Sequence, residues 1–141
     1  MAMKQQFESI EIVTQGAGLY AFGDPVRRFV HKSGITDGLL TCFIRHTSAS
    51  LVIQENADPD VLADLEDFMR RLVSRNPDLY RHTTEGPDDM PSHIRAALTA
   101  TSVSIPVCGG SLALGTWQGL YVFEHRDAPH RREVLLHLIG D

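Results

Sequence analysis

Two hydrophobic periods divide this 141-residue chain, and the switch between them sets most of what it can fold into. Over residues 58–75 (DPDVLADLEDFMRRLVSR), Val61, Leu62, Leu65, Phe68, Met69 and Leu72 recur at the three- and four-residue spacing of one helical face. Asp58 precedes a proline at the first helical position, Asp60 lies in the first turn, and Arg70, Arg71 and Arg75 lie near the end. Cap, proline and charges thus all agree with the direction of the backbone dipole. Beyond residue 102 the period falls to two. Val103, Ile105 and Val107 alternate about Ser104 and Pro106, Gly109-Gly110 follows, and Leu112 and Leu114 resume the alternation. A Gly-Gly pair between such runs suits a tight hairpin whose central residues take positive φ. Residues 117–124 and 133–139 supply two further strands.

Upstream, residues 7–13 alternate Ile10 and Ile12 about Glu11 and read as a strand. Asp24-Pro25 repeats the cap-plus-proline device before Val26, Phe29 and Val30, with Gly34 as a stop, which predicts a first helix. GLLTCFIR (38–45) and SLVIQ (50–54) flank the polar residues His46, Thr47, Ser48 and Ala49, as two strands or one bent strand. A polar loop at 76–90 leads to a shorter helix opening at Pro91-Ser92-His93-Ile94. This order lacks the strict strand–helix alternation of a parallel sheet. The expectation is α+β: an antiparallel β-sandwich or sheet meander with about three helices packed on one side, in one domain spanning 1–141.

Composition narrows the function classes. Hydrophobic residues at 43% and charged residues at 22% are those of an ordinary globular domain. A formal charge of -5 argues against a nucleic-acid binder that works by displacing counterions. No apolar run approaches the roughly 20 residues that span a bilayer, and the start MAMKQQFESIEIV lacks a signal peptide's apolar core. Cys42 and Cys108, both inside apolar runs, read as small core residues rather than a disulfide framework. These features predict a cytoplasmic protein that engages neither membrane nor nucleic acid.

Seven histidines are present, and His46, His82, His93 and His125 fall at element ends, where sites gather. His46 shares a strand face with Leu40, Cys42 and Ile44. Residues 80–93 (YRHTTEGPDDMPSH) bring His82, Glu85, Asp88, Asp89 and His93 into fourteen positions, a donor mixture suited to a divalent metal or to proton transfer. The competing reading is an acidic capping loop in which Asp88 and Asp89 satisfy helix N–H groups. In GTWQG and the strand after it, Trp117, Tyr121, Phe123 and His125 share one side, while Gln118, Leu120, Val122 and Glu124 share the other. Packing suits Trp117; Gln118 and Glu124 are unusual beside apolar neighbours and suit a pocket. Glu55 and Asn56, next to the capping Asp58, have no structural reason beyond loop solvation. Ser48 and Ser50 lack a nucleophile elbow, and no GxGxxG or GxxxxGK[ST] loop is present, so no nucleotide cofactor is implied.

In order, RHTSASLVIQENADPDVLADLE, YRHTTEGPDDMPSHIRAALTATSVSIPV and GSLALGTWQGLYVFEHR resemble the YjbQ-like family, also called the secondary thiamine-phosphate synthase family, across residues 4–140. The resemblance implies an antiparallel β-sandwich, usually assembled as a homotrimer, with polar motifs gathered into a site that can hold a divalent metal, zinc or magnesium. Its label implies joining a pyrimidine diphosphate to a phosphorylated thiazole with release of pyrophosphate. Carried over motif by motif, the metal ligands are His46 of HTSAS, His82 of YRH and His93 of SHI. Glu85, Asp89 and Glu124 stand as catalytic candidates, and Arg45, Arg95, Gln118, His125 and Arg126 as binders of a small phosphorylated ligand. Ser111 stands where relatives usually place a cation, and Ala100 where many have glycine. The alternative reading is a non-catalytic trimeric metal- or metabolite-binding protein.

Overall fold

The computed structural model describes residues 2–141. In chain order the elements are β1 (Lys4–Thr14), β2 (Gly18–Ala21), α1 (Gly23–Ser33), β3 (Gly38–Ile44), β4 (Ala49–Glu55), α2 (Pro59–Leu72), a 3₁₀ turn (Pro77–Leu79), α3 (Asp89–Leu98), β5 (Ser102–Cys108), β6 (Ser111–Leu112), β7 (Gln118–Glu124) and β8 (His130–Gly140). The strands form two antiparallel sheets, one of five in the order β1-β8-β3-β5-β6 and one of three in the order β2-β7-β4. With three α-helices this is the expected α+β architecture. Residues 46–48 are not a bend within one strand: they carry the chain from the larger sheet (β3) to the smaller (β4).

Alternation decides which residues meet. Leu40, Cys42 and Ile44 of β3, Val134, Leu136 and Leu138 of β8, and Ile105 and Val107 of β5 face Leu51, Leu120 and Val122 of the smaller sheet, and Val26, Phe29 and Val30 of α1 join the same cluster. Each of the larger side chains contributes about 1.5–3 kcal/mol by leaving water. On the far side of the smaller sheet, α2 lies against β2 and β4, and α3 against β4. As the middle strand, β7 is therefore buried on both faces, with Leu120 and Val122 toward the core and Tyr121 and Phe123 toward the helices.

Local expectations divide according to whether a side chain acts alone or against a distant partner. The carboxylate of Asp58 accepts a hydrogen bond from the Asp60 N–H at 2.9 Å, capping α2. Gly109 and Gly110 have φ of 58° and 78°, as a primed turn between β5 and β6 requires. Asp24, by contrast, does not cap: α1 begins at Gly23, and Asp24 sits in its first turn, paired with Arg27 at 3.1 Å. Helix α3 begins at Asp89, two residues before Pro91. Trp117 is 65% exposed rather than packed. Both cysteines are free; Cys42 is buried, and burial pushes its thiol up to about 12, whereas Cys108 is exposed. Among the described residues, no helix is long and apolar enough to cross a membrane.

Candidate functional site

Helix α3, the loop before it and the turn after β7 converge on one carboxylate. Asp89 opens α3 and its side chain is only 3% exposed. Its Oδ2 lies 2.6 Å from His82 Nε2 and 3.1 Å from His93 Nε2, the latter one helical turn further along. Its Oδ1 accepts from Arg126 Nη1 at 2.7 Å. Arg126 also donates through Nε to Asp88 Oδ2 at 2.9 Å and through Nη2 to the Glu85 carbonyl at 3.2 Å. The Asp127 N–H donates to that same Asp88 oxygen at 2.9 Å. These bonds displace the capping reading: Asp88 makes no side-chain cap bond, both aspartates bind Arg126 instead, and Asp89 also meets the two histidines. Burial alone would raise the Asp89 carboxyl, but the hydrogen bond from His82 and the charge of Arg126 outweigh it and hold the group below the usual carboxylate range.

The decisive detail is on the other side of His93. Its Nδ1 lies 2.9 Å from the Thr47 carbonyl, an acceptor only, so Nδ1 carries the proton. The lone-pair nitrogen Nε2 then faces an anionic oxygen, an arrangement that is favourable only with a cation, a proton or a metal, between them. Donor atoms of His82, Asp89 and His93 all lie within 4.8 Å of one another. A pocket of about 240 Å³ beside His82 is walled chiefly by Tyr80, Pro87, Met90 and Pro91.

Other residues singled out from the sequence lie elsewhere. His46 shares a shallow groove with His93, but its Nε2 accepts from the Glu133 N–H at 2.8 Å and it stands outside the trio. Burial and the nearby Arg132 charge lower its basicity. Glu85 Oε2 lies 3.8 Å from His82 Nε2, at the edge of the cluster. Glu124 is fully buried between the sheets, where its carboxylate takes donors from Thr14, from Arg132 and from the N–H groups of His125 and Arg126. Those donors outweigh the upward push of burial, so its carboxyl titrates below the usual range.

His125 is buried on the helix side of the smaller sheet with Nε2 2.9 Å from Ser50 Oγ. Burial, reinforced by the Arg95 charge, lowers it to about 3, so it is neutral at working pH. Arg95 is buried against Glu66 at 3.2 Å, joining α3 to α2, and Arg45 pairs with Glu133 at 3.0 Å. Gln118 stands at the opposite end of β7, six residues or roughly 20 Å of extended chain from Glu124. Of the arginines singled out from the sequence, only Arg126 reaches Asp89. Arg132, which anchors Glu124, escaped notice; its signal was phase, since it shares the buried parity of Val134, Leu136 and Leu138.

Residues 8–141 match the family model described as UPF0047 protein YjbQ-like. A UPF0047 protein of Synechocystis sp. is 54% identical over 138 residues, covering 98% of this chain and 94% of that one. The UPF0047 protein YjbQ of Escherichia coli O157:H7 is 45% identical over 104 residues, covering 74% and 75%. Among solved structures, a YjbQ/UPF0047 family protein of Clostridium acetobutylicum superposes with a TM-score of 0.79 at 35% identity, covering 90% of this chain and 97% of that one. A YbjQ-like protein of Sulfolobus solfataricus superposes with a TM-score of 0.90 over 99% and 100% of the two chains, a likeness of fold at 23% identity.

Proposed function

The chain belongs to the UPF0047 protein YjbQ-like family, and from that premise we propose that His82, Asp89 and His93 form a divalent-metal centre acting on a small phosphorylated metabolite. The observation that carries this reading is the Thr47 carbonyl behind His93: a histidine whose far nitrogen donates to a main-chain carbonyl presents its other nitrogen as a ligand. Two imidazoles and one carboxylate are a donor set that suits zinc-like ions better than magnesium, which prefers oxygen. A metal held there would supply a Lewis acid for a phosphoryl oxygen or for water.

The chain's own residues have separable tasks. Arg126 fixes Asp89 through Oδ1 and leaves Oδ2 to the histidines, while Asp88 and the Glu85 carbonyl hold the guanidinium in place. Glu85, 64% exposed and beside His82, is positioned to accept a proton at the open side of the cluster. The apolar pocket next to His82 excludes water from one flank and accepts the non-phosphorylated part of a substrate. Family resemblance points to thiamine-phosphate synthesis as the first reaction to assay, and to a homotrimer as the assembly to look for by sedimentation.

Elemental analysis of the purified protein, after equilibration with Zn²⁺, Mn²⁺ or Mg²⁺ and desalting, tests the centre. Near-stoichiometric metal in the native chain that drops in both His93→Ala and Asp89→Asn supports it. Equal retention in native and variant proteins, or none in any, refutes it. Retained metal without turnover of thiamine-phosphate precursors or phosphate esters would leave the centre standing and remove the enzyme.

A further inference from the structure

We propose that a second cleft, at the other end of β7 from Asp89, binds a small organic carboxylate with an apolar body. The cleft has a volume of about 430 Å³ and lies between α1, β6, the turn before β7 and Asn56. A neighbouring depression of about 350 Å³ shares Arg27 and Asn56 with it. Two sequence motifs that the Asp89 site leaves unused, residues 54–59 and GTWQG at 115–119, meet here.

Their side chains are held with their recognition atoms spare. Asn56 Nδ2 donates to the carbonyls of Thr116 at 3.2 Å and Gln118 at 3.3 Å, which uses its donors and leaves Oδ1. Gln118 Oε1 accepts from the Gly115 N–H at 2.8 Å, which leaves its Nε2 donors. Among the described residues Arg27 is tied only to Asp24, through Nη1 at 3.1 Å, in a pair whose side chains are 54% and 86% exposed and which an incoming anion can displace at little cost. Gly119 gives Asn56 room against β7: a Cβ there would come within 3.1 Å of the Asn56 Cβ and 3.0 Å of the Tyr121 ring.

The balance of groups specifies the ligand. Arg27 and Gln118 Nε2 can only donate, His31 and the hydroxyls of Ser111 and Thr116 can donate or accept, and Asn56 Oδ1 is the one spare side-chain atom confined to accepting, so the cleft suits an acceptor-rich group. Among the described residues only one permanent positive charge lines it, and Ser111 adds none, which matches a monoanion rather than a phosphate dianion. Val30, Leu112 and Leu114 supply an apolar wall for a short hydrocarbon body.

Trp117, the single tryptophan, lies in sequence between the lining residues Thr116 and Gln118 and serves as a nearby fluorescent probe beside the leucine methyls of the cleft wall. The protein is titrated with 4-methylpentanoate, its neutral amide and isopentyl phosphate, following Trp117 emission and the methyl resonances of Leu112 and Leu114. A saturable response to the carboxylate is expected in the millimolar range or below. The amide and the Arg27→Gln variant should each bind about tenfold more weakly or worse, the loss expected when a charge-assisted hydrogen bond is removed. His93→Ala, which disables the Asp89 site, should leave the titration unchanged, so the two proposals fail separately. No saturable response, equal binding of acid and amide, tighter binding of the phosphate ester, or full affinity in Arg27→Gln would each overturn the assignment.

Discussion

Lowering the pH from 7.5 to 5.0 should destabilise this protein through His125, and replacing that residue with glutamine should remove much of the sensitivity. His125 is 3% exposed, and burial together with the Arg95 guanidinium lowers it from 6.5 to about 3. The sign follows from which state takes the proton first. The unfolded chain protonates His125 as pH falls through 6.5, while the folded chain keeps it neutral until about 3, so stability present above 6.5 is lost steadily below it. At pH 5.0 the unfolded state has gained about 2 kcal/mol from this proton, a figure nearly the same for any folded value below about 4.

Urea unfolding of the native chain and of His125→Gln at both pH values measures the difference. Glutamine retains a polar group to meet Ser50 and cannot titrate. His46, whose basicity is also lowered, destabilises both proteins alike and cancels. The native chain should lose about 2 kcal/mol more than the variant between the two pH values. Parallel losses would refute the reasoning, since they would mean that His125 exchanges its proton as freely when folded as when unfolded.

The Glu124–Arg132 pair is sealed between the sheets, so Arg132→Met should cost about 3–5 kcal/mol in chemical unfolding, and adding Glu124→Leu should recover part of that. Smaller losses from the double variant than from the single one would identify the cost as a stranded charge; equal losses would count against it. Alanine at Gly109 or Gly110 must take positive φ, and each should lower stability by about 1–2 kcal/mol by the same assay. Trp117→Ala should change stability by no more than about 0.5 kcal/mol, because that side chain is largely in water.

What the sequence disclosed follows the range of the interactions involved. Asp58 caps α2 because an N-cap needs nothing beyond two residues downstream, and Gly109-Gly110 turns because its φ values are a local matter. The faces of β7 could be written down from parity alone, and Leu120 and Val122 do lie opposite Tyr121 and Phe123. Trp117 broke the pattern because it precedes the strand, where parity has no hold. In the site, the carboxylate–imidazole loop was legible as a cluster, but its architecture depends on contacts that composition does not encode. Arg126 reaches Asp88 and Asp89 across more than 35 residues of chain, and His93 finds the Thr47 carbonyl 46 residues away. Once made, those contacts turn the two aspartates from presumed helix caps into the ends of a guanidinium clamp.

The position of β8 governs the order in which the larger sheet can be assembled. It lies between β1 and β3, with Lys4 opposite Gly140 and Thr14 opposite His130, so the first strand in the chain pairs only with the last. While the chain is being synthesised, β1 has no partner until residues 130–140 have emerged, and pairings of such wide sequence separation close slowly. The alternating apolar strip of β1 is thus exposed to other chains for longer than any other part of the fold, and its glutamates at positions 8 and 11 are well placed to discourage premature strand pairing.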